Sequence, residues 1–381
     1  MRAWLEQSLA QIPGVGTQAT RRVGPIGLDV GTNALHLCQL GAAQADSYPV
    51  LARTSVPFTG SREELLDSPV LLKKLLKQGM RGQGFRGKHM VTALPPDRVR
   101  FTPITIKADE KNQAEAVLRM VSDRVEGDIG DYVVDYLPVR TSTGADDRLA
   151  LAAVARREHV LSYLDALANA GFVVEALDIG PAAIRRALSV MYHKGGEGET
   201  ILVVNSGKQH TYLSVIAGRR LLFDQAVGFG EDALLEKLQA SLELSQEGVR
   251  RLIREHGFPA NGEVSHMMGG ADGLNVPATL LDILKPNFMS LVEEINRVLV
   301  FTASETRGRP IERIVMLGSL ARWPGLSDVL CKLVGVPPRN GLHDLEDCFD
   351  DRSRAAGDGE GLFPEMSVAL GLGLRGVVDD G

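Results

Sequence analysis

Cysteine is scarce. The three that occur, Cys38, Cys331 and Cys348, are scattered, odd in number and without metal-ligand spacing. That excludes a disulfide framework and a cysteine zinc site, and fits a reducing, cytosolic compartment. The eight histidines form no cluster that would mark a metal centre. Basic charge is not in excess either, with 42 Lys and Arg against 48 Asp and Glu for a formal net charge of −6. A general nucleic-acid binder, which lays a basic face over phosphates, is thereby excluded. No apolar run approaches the roughly 20 residues that span a bilayer, and no secretory signal pattern opens the chain. Any membrane role is expected to be peripheral.

With 381 residues, 44% apolar and 24% charged, the chain reads as a soluble globular protein too long for one ordinary core, so two or more lobes are expected. Its organising stretch is Ile26-Gly27-Leu28-Asp29-Val30-Gly31-Thr32-Asn33, followed by the apolar alternation of Leu35, Leu37 and Leu40. An apolar strand into Asp-x-Gly-Thr and a return strand suits a hairpin that grips phosphate. Glycine lets backbone N–H groups approach an anion, the hydroxyl adds a donor, and the Asp29 carboxylate can hold a hydrated Mg²⁺. A second such unit runs from Ile201 through Asn205, Gly207, Lys208 and Thr211 to the return strand Tyr212 to Ile216. Two units in two halves predict a duplicated α/β architecture with a cleft between the halves. Plainer roles stand beside these: Asp29 capping a tight turn, Lys208 solvated on its turn, Trp323 packing a turn, Cys38 in the core. His210 is not taken as a catalytic base.

Along the chain, residues 1–25 read as a leader whose Trp4, Leu5, Leu9 and Ile12 share one face of a short helix. A helix is expected from Glu63 to Gln78, interrupted at Ser68-Pro69. Gly82-Gln83-Gly84-Phe85-Arg86-Gly87 matches the dinucleotide fingerprint literally, but it follows a helix and precedes a strand, the wrong order; it reads as a flexible basic surface loop. From about 95 to 174 a small α+β subdomain is expected. It has strands at 98–106, 132–140, 148–155 and 172–177, and helices at 111–125 and 158–170, with Gly171 as a C-cap. Asp178-Ile179-Gly180 resembles a phosphate loop, but Pro181 marks a strand-to-helix junction. The Gly195-Gly196-Glu197-Gly198 segment sets the lobe boundary, giving lobes at 26–197 and 198–381. The second lobe is expected to hold helices at 233–242, from a Ser245 cap to Glu255, and 286–302, then strand 313–317, the turn Gly318-Ser319-Leu320-Ala321 and a helix opened by Trp323-Pro324-Gly325-Leu326. A polar loop spans 339–361, and an apolar segment with close-packing glycines ends the chain at 366–375.

In their order, Leu28-Asp29-Val30-Gly31-Thr32, Leu94-Pro95, Asp131-Tyr132-Val133-Val134-Asp135-Tyr136, Ala170-Gly171-Phe172, Leu177-Asp178, Val227-Gly228-Phe229-Gly230, Ala321-Arg322-Trp323-Pro324-Gly325-Leu326 and Ser367 to Arg375 resemble the PilM family. These are actin-like cytoplasmic proteins of type IV pilus assembly, related to FtsA. The resemblance covers essentially everything after residue 25. It implies an α/β, actin-like (ribonuclease H-like) two-lobed fold with the small subdomain inserted in the first lobe. It also implies a cytoplasmic scaffold at the inner membrane, held there through partners, that captures the N-terminal peptide of PilN and meets other pilus or secretion assembly proteins. The peptide groove would lie between the first lobe and the subdomain, around Arg98–Ile106 and Val133–Val139.

By the same resemblance Asp29, Gly31, Thr32, Asn33, Asn205, Gly207, Lys208, Thr211, Gly318 and Ser319 would hold ATP, with Mg²⁺ on Asp29 through water. Four contacts depart from the family pattern. His36 stands for a phosphate-reaching lysine, Asn205 for an aspartate, Arg250 and Ile253 for a glutamate and lysine at the ribose and base, and Gly318-Ser319-Leu320 for Gly-Gly-Gly. One lost charge-assisted contact costs roughly 1.5 to 3 kcal/mol, so the nucleotide site is expected to be degenerate, a pseudo-ATPase or at most a very weak ATPase, with no catalytic residue assigned. The alternatives are an active ATP switch, compensated by Lys208 or Arg322, and a small-molecule kinase of the same superfold, for which the sequence offers no convincing carboxylate base.

Overall fold

The computed structural model describes residues 23–44, 47–107, 112–139, 147–190, 199–218, 220–259, 275–303, 308, 310–337, 346–351, 364–375 and 377. The leader up to residue 22, the Gly195–Gly198 linker, the loop at 141–146 and most of the polar loop at 339–361 lie outside the described residues.

Strands β1 (Val23–Val30), β2 (Ala34–Gly41) and β3 (Tyr48–Pro57) form an antiparallel meander. The last three residues expected in the leader already belong to β1. Helices α1 (Arg62–Leu66) and α2 (Pro69–Met80) follow, and the expected interruption has a local cause. Ser61 and Glu64 form a reciprocal capping box on α1, while Ser68 caps α2 with Pro69 in its first turn. The Gly82–Gly87 loop is exposed, as expected. It is nonetheless tied down, because the buried Gln39 side chain donates to the Arg86 carbonyl and accepts from its N–H, both at 2.8 Å.

Strand β4 (His89–Leu94) and its parallel neighbour β8 (Val173–Ile179) extend the first sheet to the order β13-β3-β2-β1-β4-β8, with β13 (Phe349–Asp351) at one edge. Between them in sequence lies the inserted subdomain. Strands β5 (Arg100–Lys107), β6 (Tyr132–Val139) and β7 (Asp147–Arg156) are ordered β5-β7-β6, with helix α3 (Gln113–Ser122) on one face. Ile104, Ile106, Val117, Val121 and Val154 close that small core. Helix α4 (Arg157–Ala170) ends on Gly171 at φ 97°, the expected left-handed cap.

Helix α5 (Gly180–Ser189) begins immediately after β8, with Pro181 in its first turn, so Asp178-Ile179-Gly180 is the junction the proline indicated. The second sheet runs β11-β10-β9-β12, from β9 (Thr200–Ser206), β10 (Thr211–Ala217), β11 (Arg220–Val227) and β12 (Arg313–Gly318). Ile201 to Val204 are all fully buried because both faces of β9 are covered. Helices α6 (Glu231–Leu242), α7 (Gln246–His256), α8 (Val276–Thr302) and α9 (Leu326–Val334) belong to this half. Helix α8 begins ten residues before the expected start at Pro286. Asn275 caps it and Pro277 sits in the first turn, while the stripe Leu280, Leu284, Phe288, Leu291 and Ile295 runs unbroken past Pro286. Tertiary burial thus overrides the local cost of a proline inside the helix.

The end of the chain, expected with the second lobe, returns to the first sheet. Strand β13 (Phe349–Asp351) pairs in parallel with β3, and Arg53 Nε meets Asp351 Oδ2 at 2.9 Å. Helix α10 (Ser367–Leu374), buried on every side, is wedged between β1 and α5. Glycine makes this approach possible. A Cβ on Gly27 would lie 2.1 Å from the Ala369 carbonyl, and one on Gly371 would lie 1.8 Å from that of Ala183. A buried network locks the wedge: Asp178 Oδ2 accepts from Arg186 at 2.9 Å and Arg375 at 3.0 Å, and Arg186 also donates to the Gly371 carbonyl. Burial alone would raise the Asp178 pKa, but the two guanidiniums and the Ile179 N–H more than offset it and hold the carboxyl below its usual range. No helix among the described residues is long and apolar enough to cross a membrane.

Candidate functional site

The two expected hairpins are built alike. Gly31 N–H donates to the Ala34 carbonyl at 3.0 Å, and Gly207 N–H donates to that of His210 at 2.8 Å, so each glycine closes its own turn at the same spacing. Both turns open onto one cleft of about 1070 Å³. Of the ten residues expected there, Asp29, Gly31, Thr32, Asn33, Asn205, Gly207, Lys208, Gly318 and Ser319 line it. Thr211 does not: it is wholly buried, and its hydroxyl donates to the Phe229 carbonyl at 2.7 Å. His210 is exposed on its turn, outside the lining.

Each wall has a distinct support. Asp29 sits opposite His36 on β2, and His36 Nδ1 is 2.8 Å from Ser55 Oγ. Beneath it Thr92 donates to the Leu28 carbonyl and meets the buried Tyr163 hydroxyl, pinning β1 to β4 and α4. Burial raises the Asp29 pKa, and His36 and Arg62 counter that only in part. On the other wall the first amides of α6 hold the second hairpin, Glu231 N–H on the Gly207 carbonyl and Asp232 N–H on that of Lys208. Gly318, at φ 78°, has no room for a side chain, since a Cβ would stand 2.0 Å from the Ser206 carbonyl.

Several lining residues escaped the sequence reading because their neighbours come from distant elements. Arg62 reaches in from α1 and pairs with Asp97. Asp224 on β11 accepts from Ser214 across the strand pair, and burial pushes its carboxyl up to about 7. A carboxylate directly after the apolar run Leu221-Leu222-Phe223 is the available signal. Ser206 is 2% exposed, and its Oγ is buried with no hydrogen-bond partner among the described residues. Where the resemblance places a ribose-binding glutamate, Arg250 Nη1 is tied to Glu231 Oε1 at 3.0 Å, and Trp323 Nε1 donates to the same oxygen at 3.3 Å. Trp323 in turn stacks flat on Phe258, with ring centroids 5.9 Å apart. This wall is therefore occupied by its own side chains. Arg322, named as a compensating cation, is held bidentately by Glu365 at 2.5 Å on both arms.

A magnesium nucleotide, the group this architecture implies, fits in part. The glycine-lined turns and Lys208 suit phosphate oxygens. The metal is less well served, because Asp29 is the single carboxylate on the two turns and Asn205 brings no charge. No cluster of three or more metal-binding side chains occurs among the described residues.

Two lobes with matching hairpins facing one cleft, and a subdomain inserted between adjacent parallel strands of the first, define an actin-like protein. Solved structures agree. One chain of a PilM–PilN type IV pilus biogenesis complex is similar over 94% of this chain and 99% of its own, with 24% identity and a TM-score of 0.70. The ethanolamine utilization protein EutJ of Carboxydothermus hydrogenoformans is similar over 98% and 99%, with 14% identity and a TM-score of 0.50. The type IV pilus assembly protein PilM family model matches residues 27–376, and the chain belongs to that family.

Proposed function

We propose that this chain is a scaffold of a type IV pilus or related secretion machine, working at the inner face of the cytoplasmic membrane through protein partners. Its partner is the cytosolic N-terminal peptide of a PilN-like inner-membrane protein, and its nucleotide site is degenerate. Membership of the PilM family and likeness to a chain solved in a complex with PilN support the partner. The single observation that carries the loss of nucleotide function is the Arg250–Glu231–Trp323 cluster, which spends the ribose-side wall on internal contacts.

The peptide groove runs along β5. This strand is an edge of its sheet, with Pro103, Thr105 and Lys107 exposed while Ile104 and Ile106 face α3. An exposed edge above an apolar layer suits an extended peptide. The test is calorimetric capture of the PilN-like peptide by the wild-type chain and by a Thr105→Glu/Lys107→Glu double variant. Capture lost with the melting temperature unchanged is expected; unchanged capture would sink the groove assignment. Calorimetry with ATP and Mg²⁺, beside Asp29→Ala, tests the degenerate site. Micromolar, Mg²⁺-dependent binding lost in that variant would instead support an active switch in which ATP draws the lobes together.

A further inference from the structure

Basic charge is segregated on one face of the first lobe. From Ser68 to Pro96 the chain carries six basic residues, Lys73, Lys74, Lys77, Arg81, Arg86 and Lys88, and no acidic one, in a protein of net charge −6. The fold gathers them. Lys74, Lys77 and Arg81 follow one another at helical spacing along the exposed face of α2 and its C-cap, and Arg86 and Lys88 are exposed on the loop that comes next. None of these five side chains has a hydrogen bond or ion pair among the described residues. The loop itself is braced: Gln39, 1% exposed, clamps the Arg86 backbone and donates to the Gly24 carbonyl, while Phe85 packs on the first-lobe core. Two exposed apolar side chains flank the charges, Val70 on the same face of α2 and Val173, whose N–H donates to the Lys88 carbonyl at 2.9 Å. The acidic residues of α1, Glu63, Glu64 and Asp67, stand at the opposite end of α2, and Glu175 on β8 is bridged to His89 at 2.7 Å. Because the loop opens β4, whose other end reaches the cleft, this face lies at the end of the lobe away from the two glycine turns.

We propose that this face docks directly on a bilayer surface bearing anionic lipid headgroups. Each Lys or Arg brought near such a surface gains about fivefold in binding, so a cluster of this size holds a protein there without a spanning helix. The acidic remainder of the molecule is repelled by the same surface, which turns this face toward it. Val70 and Val173 suit the boundary between headgroups and acyl chains, a partner that a polynucleotide does not offer. The inference goes beyond the proposed scaffold role, in which protein partners hold the chain at the membrane. It adds a second attachment, made by lipid, that leaves the cleft and β5 open.

The probe is vesicles of equal parts phosphatidylglycerol and phosphatidylcholine, sedimented with the full chain, beside vesicles of phosphatidylcholine alone. Binding is expected to the anionic vesicles only, and to fall steeply as salt is raised. Lys74→Gln/Lys77→Gln/Arg81→Gln should weaken it about a hundredfold, three charges at about fivefold each, with the melting temperature kept. Lys237→Gln/Lys285→Gln, at exposed positions of the second lobe, should leave it within about twofold. Unaltered vesicle binding in the α2 variant, an equal loss in the second-lobe variant, or equal binding to neutral vesicles would overturn the inference. So would binding of transfer RNA or polyglutamate where the vesicles give none, which would assign the face to an acidic macromolecule instead. A chain that ignores the vesicles yet captures the PilN-like peptide would overturn this inference alone, whereas vesicle binding without peptide capture would support it and overturn the partner reading.

Discussion

Asp224 gives the sharpest test of how the cleft is built. Its carboxyl lies on β11 facing the cleft, 7% exposed, with the Ser214 hydroxyl donating to it. Burial raises its pKa from 3.8 to about 7, so the folded chain holds a proton that the unfolded chain has released. A raised folded-state pKa contributes stability that is complete below the unfolded value and lost as pH rises through the folded one. The shift of roughly three units corresponds to at most about 4 kcal/mol, lost between pH 4 and 7 at about 1.4 kcal/mol per unit. Asn keeps the oxygen that accepts from Ser214 and cannot ionise. Asp224→Asn should therefore equal the wild type at and below about pH 4, pull ahead by about 1.4 kcal/mol per unit above it, and exceed it by up to about 4 kcal/mol at pH 8. Urea unfolding of both proteins at half-unit steps from pH 4.5 to 8 measures this. A wild-type midpoint that rises through the window, or a variant whose profile runs parallel to it, would refute the reasoning.

Asp178→Ala removes the carboxylate that balances the nearly buried Arg186 guanidinium and should cost about 3 to 5 kcal/mol by thermal or urea unfolding. Because the Asp178 pKa is lowered, its contribution is present above the ordinary carboxylate pKa and fades as pH falls below it; the variant should lack that acid-limb loss. Gly371→Ala puts a methyl into the Ala183 carbonyl, so α10 must shift; a loss of about 1 to 3 kcal/mol and faster amide exchange in α10 are expected, and unchanged exchange would contradict the wedge. Arg250→Ala leaves the 4% exposed Glu231 with only Trp323 as a side-chain partner among the contacts described and should cost about 1 to 3 kcal/mol, visible as a change in Trp fluorescence on unfolding.

The elements legible in the sequence were those whose cause is local. Ser61 with Glu64 and Ser68 with Pro69 split one apolar run into two helices at the expected place. Gly171 and Pro181 marked a helix end and a helix start, and the two glycine turns were recognisable before their geometry was known. The start of helix α8 is not legible in the sequence, because Pro286 is a local breaker while the apolar stripe that runs past it is held by burial against distant elements.

The sequence by itself determined the duplicated strand-turn-strand units, the inserted subdomain and the family, because periodicity, caps and short ordered motifs are properties of neighbouring residues. Only the tertiary structure decided the rest. The apolar segment 366–375 announces close packing, but its attachment to β1 and α5 depends on Gly27 and the Ala183 carbonyl, far away in the chain. Thr211 carries the right hydroxyl for an anion, yet the Phe229 carbonyl takes it inside. Arg250, Glu231 and Trp323 come from three elements and meet only when α6, α7 and the turn after β12 are packed together. A charge's partner is set by proximity in space, and that is what local pattern does not encode.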